Sequence, residues 1–152
     1  GLACANRIMS MLYLIGESIK LVNNYQSRSG ISYDVVIRAR TDVAPSSKII
    51  LSGMKNRCVY TDGSFYNHDG NPSSQICSDF FWCDSQTALK LSDLNTSINI
   101  IYENFNFDVT NAEALFYLYS VMNDIQPIKL PLNLKRFKTP EAIAAMKAKL
   151  VS

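Results

Sequence analysis

The sequence predicts an α/β domain with a mixed, mostly parallel sheet flanked by helices. Segments with a helical period alternate with short apolar segments typical of strands. The run Val35-Val36-Ile37 is continuous and β-branched, which indicates a strand covered on both faces. Apolar residues make up 47% of the 152 residues and charged residues 18%, the balance of a chain that packs a core. We therefore expect a single domain over residues 1–152.

The first predicted element is one amphipathic helix over residues 3–24. Apolar residues recur there at spacings of three and four, which places them on one stripe of a helix: Ala5, Ile8, Leu12, Ile15, Ile19 and Val22. A polar run that ends at Gly30 follows the helix and marks its end.

Strands are predicted next. The segment YDVVIRARTDV, residues 33–43, begins as a buried strand, and Pro45 ends it. Cys58-Val59-Tyr60 and Phe80-Phe81-Trp82-Cys83 are the second and third predicted strands. Between them, residues 61–75 are rich in Gly, Asn, Asp, Ser and Pro, and this pattern indicates a long functional or mobile loop.

The second half of the chain is predicted to be mainly helical. Asp84 or Ser85 can cap a helix that runs to Leu94, whereas residues 98–105 fit a helix or a strand equally well. Thr110-Asn111-Ala112-Glu113 is a capping box that opens another helix. Residues 125–130 suit an edge strand because Pro127 limits pairing, and Thr139-Pro140 opens a last helix.

Composition excludes several classes of function. A net charge of +2 and a pI near 8.4 are too mild for a nucleic-acid-binding protein. No stretch is long and apolar enough to predict a membrane span. The four cysteines form no C-x-x-C pair and the chain has one histidine, so we expect reduced, buried thiols rather than zinc ligands, and a cytoplasmic location.

The end of the first strand carries the residues that point to chemistry. Side chains alternate along a strand, so Arg38, Arg40 and Asp42 are expected on one face, at the carboxyl end where α/β sheets bind ligands. Each of the two guanidinium groups can donate a bidentate pair of hydrogen bonds to phosphate oxygens. Asp42 can bind a divalent cation or accept a hydrogen bond from a sugar hydroxyl. An internal Arg–Asp ion pair explains the same three residues equally well.

Three motifs together resemble a family. Residues 33–43 resemble the YD-x-V-I-R-x-R-x-D strand of a group of glycosyltransferases with the GT-A fold, in which this strand takes the place of the D-x-D motif. Ser78-Asp79-Phe80-Phe81-Trp82 resembles the S-D-x-F-F strand of the group, and residues 111–115 resemble its P-E-x-L helix start. The resemblance covers roughly residues 6–135.

The resemblance implies roles for individual residues. Asp42 matches the last acid of D-x-D and is the implied ligand of Mn²⁺ or Mg²⁺, but Arg40 stands where the first acid is usual, which leaves metal dependence open. Arg38 and Arg40 would bind the donor with Asp42. Asp79 would bind the acceptor or act as general base; its alternative roles are to cap the strand or to pair with Arg38 or Arg40. Glu113 is a third catalytic candidate, although its place in the capping box already explains it.

The implied activity is transfer of a sugar from a nucleotide-sugar donor to a glycan acceptor. Complete GT-A domains begin with a β-α-β half that binds the nucleoside, and residues 1–152 correspond to the C-terminal portion of that fold. That half is therefore expected to be missing or to lie upstream. The alternative is a non-catalytic binding module derived from a truncated transferase fold.

Overall fold

A computed structural model describes residues 2–63, 75–105 and 112–136 of the chain. The helices are α1 (Leu2–Ser29), α2 (Ser85–Leu91), α3 (Leu94–Phe105) and α4 (Ala112–Met122). The strands are β1 (Val35–Ala39), β2 (Val43–Ala44), β3 (Cys58–Asp62), β4 (Phe80–Asp84), β5 (Gln126–Leu130) and β6 (Lys135–Arg136). This is the predicted α/β class. The predicted last helix and most of the loop 61–75 lie outside the described residues, as does Thr110 of the capping box.

Four strands form a mixed sheet in the order β1-β4-β3-β5, and β2 pairs with β6 in a small second sheet. β4 is antiparallel to both of its neighbours, whereas β3 and β5 are parallel. The prediction of a mostly parallel sheet was therefore wrong, because two of the three pairs of adjacent strands in the described sheet are antiparallel. β1, β3 and β5 do run in one direction, so they all end at the same edge of the sheet, beside the start of β4. We call this edge the carboxyl edge.

α1 confirms the predicted amphipathic helix and extends it. Ile8, Leu12, Ile15 and Ile19 are buried, as their spacing predicts. The helix continues to Ser29, five residues beyond its predicted end at Asn24, and the N–H of Gly30 donates to the carbonyl of Gln26 at 3.0 Å. Gly30 has a φ of 68°, a left-handed conformation that glycine adopts without the strain a side chain would add.

The sheet separates two apolar cores. On one face, the four helices pack on Val36, Val59, Phe81 and Cys83. On the other face, β2, the connection that follows it and the segment 131–134 cover Cys58, Tyr60, Phe80 and Trp82. The alternation of side chains along β4 assigns Phe81 and Cys83 to one core and Phe80 and Trp82 to the other, which explains why this strand is apolar at consecutive positions.

The later elements follow local signals in the sequence. Asp84 is the N-cap of α2, and its carboxylate accepts from the N–H of Thr87 at 2.9 Å. Residues 98–105, which fit helix or strand, belong to α3. β5 is an edge strand of the described sheet, as Pro127 predicts. None of the helices in the described part of the chain combines the length and apolar character that crossing a membrane requires.

β1 differs from its prediction in two ways. It covers residues 35–39 rather than 33–43, because the backbone leaves this sheet after Ala39 and Val43–Ala44 form β2 of the second sheet. It also lies at one end of the described strand order, not at its centre. Its burial reflects this position, since Val36 is buried but Ile37 is 48% exposed.

Candidate functional site at the carboxyl edge

All five candidate residues lie at or beside the carboxyl edge, on the helix-covered side of the sheet. Arg38 and Arg40 come from the end of β1, and Asp42 from the turn that follows it. Asp79 comes from the residues directly before β4, and Glu113 from the first turn of α4. The dipeptide Ser78-Asp79 links them, and we call the five residues together with Ser78 the arginine site.

Arg38 is fixed by groups of the protein. Its Nη1 donates to the backbone carbonyl of Ser78, and its guanidinium lies 5.8 Å from the centre of the Phe81 ring. Burial lowers the pKa of Arg38 from its ordinary value, while the charge of Asp79 opposes that effect. The guanidinium remains charged because arginine does not lose its proton in proteins. Arg38 is therefore a positive charge held in one orientation.

Arg40 binds two carboxylates. Its Nε donates to Asp42 Oδ1 at 2.9 Å and its Nη2 to Asp42 Oδ2 at 2.8 Å, which is a bidentate pair. Its Nη1 lies 3.3 Å from Asp79 Oδ1. The hydrogen bonds that Arg40 donates to Asp42 raise the pKa of Arg40 most; desolvation opposes this rise, and the charges of Asp79 and Asp42 add to it. The side chain of Arg40 is nevertheless 44% exposed and reaches solvent.

The two aspartates differ in exposure. The Asp42 side chain is 35% exposed, whereas that of Asp79 is 2% exposed and lies beneath Arg40. The backbone also ties this corner together, since the N–H of Arg40 donates to the carbonyl of Asp79 at 2.9 Å. Asp79 thus has one of the alternative roles expected for it, that of pairing with Arg40. Its assignment as a general base stays a prediction, and it requires Arg40 to move before a substrate hydroxyl reaches the carboxylate.

Glu113 joins the site through Ser78. The Ser78 hydroxyl lies 3.2 Å from Glu113 Oε1 and 3.2 Å from Met11 Sδ. The carbonyl of Glu113 accepts from the N–H of Ile76 at 3.1 Å, so α4 also holds the segment before β4. An acidic residue in the first turn stabilises a helix through the dipole, which gives Glu113 a structural role besides the predicted catalytic one.

A divalent cation does not fit this arrangement. Mn²⁺ or Mg²⁺ needs several oxygen ligands, but both oxygens of Asp42 accept from Arg40. Among the described residues, no group of three or more His, Cys, Asp or Glu side chains is placed to hold a metal ion. Asp42 is the partner of Arg40 in this arrangement, and its assignment as a metal ligand stays a prediction.

Two residues of this edge were not singled out by sequence reasoning. Ser78 contributes both its carbonyl and its hydroxyl to the arginine site. Asp62, at the end of β3, is fully buried, and its carboxylate accepts from the N–H groups of Leu132 at 3.1 Å and Leu134 at 3.3 Å. The available signal was an acid directly after the predicted strand Cys58-Val59-Tyr60 and Thr61, and directly before Gly63, which places a carboxylate at a strand end.

An open groove of about 650 Å³ lies apart from the arginine site, between α4 and β5. It contains none of the five candidate residues and is lined by Tyr117, Val121, Asp124, Ile125, Gln126, Pro127 and Lys129.

Comparison with known proteins assigns no relative to this chain. No family model matches the sequence, and neither the curated proteins nor the solved structures contain a significant match to it.

Proposed function

We propose that the chain is a glycosyltransferase domain with a GT-A-like fold, and that the arginine site binds the diphosphate of a nucleotide-sugar donor. The observation that carries this proposal is the meeting of all five motif residues at the carboxyl edge, although they come from three separate parts of the sequence. Strand ends at such an edge are where α/β folds commonly bind ligands.

The charges of the site define how a diphosphate would bind. The arginine site contains two guanidinium groups and three carboxylates, those of Asp42, Asp79 and Glu113, so an incoming phosphate must replace one carboxylate on Arg40. The Arg40–Asp42 pair is the one to exchange, because both side chains reach solvent. A pair of this exposure contributes only about 0.2–1 kcal/mol. Phosphate oxygens would then occupy Nε and Nη2 with the same bidentate geometry.

Four of the five candidate residues then have a step in sugar transfer, whereas Glu113 contacts Ser78. Arg38, which stays fixed, and Arg40 stabilise the negative charge that develops on the leaving diphosphate as the glycosidic bond breaks. Asp42, released from Arg40, accepts a hydrogen bond from a sugar hydroxyl. Asp79, uncovered when Arg40 shifts toward the phosphate, takes the proton of the acceptor hydroxyl.

The first experiment is a thermal-shift screen against UDP-, GDP- and dTDP-sugars, with EDTA and separately with Mn²⁺. A donor present at a hundred times its dissociation constant should stabilise the chain by about 2.7 kcal/mol. Arg40→Ala should lower the shift to about 1.4 kcal/mol or less at the same donor concentration, whereas Arg28→Ala, at the exposed end of α1, should leave it unchanged. An undiminished shift in Arg40→Ala contradicts the proposed diphosphate site.

A second candidate function is a non-catalytic module that binds a glycan or another partner. The observation that favours it is the state of Asp79, whose carboxylate is 2% exposed and bound to Arg40, and so is closed to an acceptor. The two functions differ in turnover. Release of free nucleotide from a bound donor, dependent on an added glycan acceptor, supports the transferase. Binding without release supports the module.

A further inference from the structure

The outer edge of β1 has backbone groups available for pairing. Since the N–H of Arg40 points to Asp79, the antiparallel alternation turns the even-numbered residues of β1 toward β4. The N–H and C=O groups of Val35, Ile37 and Ala39 therefore point away from the sheet. Within the described ranges, no strand pairs with them. β1 carries no Pro or Lys, which commonly protect such an edge, and its one charged residue, Arg38, is bonded to the carbonyl of Ser78.

The surface beside this edge is apolar. Ile37 is 48% exposed although its cross-strand neighbour Trp82 is fully buried. Tyr33, just before β1, stacks on Tyr25 of α1 with ring centres 6.3 Å apart, and both rings are partly exposed, as is Ile31. An apolar edge strand of this kind is prone to pair with another strand.

We propose that the occupant is a second copy of this chain, which pairs its own β1 antiparallel to the first across a two-fold axis. Charge complementarity selects the register. With Ile37 on the axis, Asp34 of each copy lies opposite Arg40 of the other, directly beyond the ends of β1, and both residues are exposed. Arg40 has N–H donors besides the three that bind Asp42 and Asp79. A register centred on Arg38 would place the two Arg38 side chains opposite each other.

Backbone geometry favours the same register. In this register Ile37 pairs with Ile37 of the second copy, and Val35 of each copy pairs with Ala39 of the other. All three outward residues of β1 therefore exchange hydrogen bonds between the copies, about six in total. A register centred on Val36 would instead match Ala39 with Tyr33, which lies outside β1 and is stacked on Tyr25. The proposed dimer has one eight-stranded sheet, with β1 at its centre. This inference does not rest on the proposed function.

The register is tested by cysteine cross-linking combined with light scattering of the 152-residue chain. Ile37→Cys places two thiols on the axis at a hydrogen-bonded pair, where the Cα–Cα distance of about 5.5 Å suits a disulfide. Oxidation should convert that variant to a covalent dimer. Ala39→Cys should stay uncross-linked, because the two thiols would lie roughly 13 Å apart, four residues' rise along the strand. Oxidation of the unmodified chain measures any cross-linking that the native cysteines cause.

The surface is tested separately by charge. Ile37→Lys places two like charges on the axis and should weaken dimerisation about tenfold or more. Ile50→Lys, the same change at a residue 68% exposed between β2 and β3, should not affect it. A monomer at about 100 µM, a dimer insensitive to Ile37→Lys, or cross-linking at Ala39 in preference to Ile37 would each overturn the proposal.

Discussion

Replacement of Asp62 by alanine tests whether one buried carboxylate holds the segment 131–134 against the sheet. Asp62 is fully buried and accepts from the N–H groups of Leu132 and Leu134. Both leucines belong to the core on that face. Loss of the carboxylate therefore affects hydrogen bonding and apolar packing together.

The expected loss in the free energy of unfolding depends on which hydrogen-bond acceptor each N–H keeps after the substitution. The N–H of Leu132 also donates to the carbonyl of Leu130 at 3.0 Å, so it keeps an acceptor, whereas Leu134 N loses the bond described for it. A hydrogen bond to a charged acceptor contributes about 1.5–3 kcal/mol, and a partly compensated one about 1 kcal/mol. We expect Asp62→Ala to lower the free energy of unfolding by about 2–4 kcal/mol. For a chain of this length that corresponds to a Tm lower by roughly 4–16 °C.

The assay is urea unfolding followed by fluorescence of Trp82, which belongs to the same core. Ser46→Ala is the control, because the Ser46 hydroxyl donates to the carbonyl of Asn133 at 2.7 Å and so ties the same segment through a neutral bond. That variant should lose only about 0.5–1.5 kcal/mol. Equal losses in the two variants, or a loss below 1 kcal/mol for Asp62→Ala, would refute the reasoning.

Three further predictions concern packing and pH. Leu12→Ala should lower the free energy of unfolding by about 2–5 kcal/mol because Leu12 is fully buried, whereas Leu14→Ala, two residues along α1 and 59% exposed, should change it by less than about 0.5 kcal/mol in chemical denaturation. Gly63→Ala should cost about 1–3 kcal/mol, since a Cβ there would lie 2.9 Å from the Cβ of Lys129; an unchanged urea midpoint would show that the strands adjust freely. Burial raises the pKa of Cys83 to about 12, above the value near 9 of an unfolded thiol, so its contribution to stability is complete below pH 9 and declines between pH 9 and 12. Unfolding at pH 8 and pH 10 should show a smaller loss with pH for Cys83→Ala than for the parent chain, and equal losses would contradict this assignment.

Local signals predicted much of the fold. The apolar spacing in α1 correctly identified Ile8 to Ile19 as a buried stripe, and Gly30 correctly marked the end of the helix. Asp84 was identified as one of two possible caps of α2 and is the cap. These features depend on neighbouring residues, so they can be read from a short window of sequence.

Strand order could not be predicted in the same way. The run Val35-Val36-Ile37 indicated a central strand, but β1 lies at one end of the described sheet and Ile37 is half exposed. Strand order depends on which distant segments pair, and the antiparallel insertion of β4 between β1 and β3 has no local signal.

At the candidate site, the alternative interpretation as internal Arg–Asp ion pairs matches the bonds of Arg40 to Asp42 and Asp79, and the binding and catalytic roles stay predictions. Alternation along a strand predicted Arg38, Arg40 and Asp42 on one face, whereas the backbone leaves β1 at Arg40 and lets it bind Asp42 through both carboxylate oxygens. The role of Ser78 depends on its carbonyl, which every residue carries, so residue type alone could not indicate it.

The most direct test of the account is a calorimetric titration of UDP into the chain, the Arg40→Ala variant and the Arg28→Ala variant. If the arginine site binds a diphosphate, UDP binds the parent chain and Arg28→Ala equally. Loss of the bidentate contact should weaken binding to Arg40→Ala by roughly 10- to 150-fold, the equivalent of about 1.5–3 kcal/mol. Equal affinity in all three proteins, or no binding to the parent chain, would contradict the central claim.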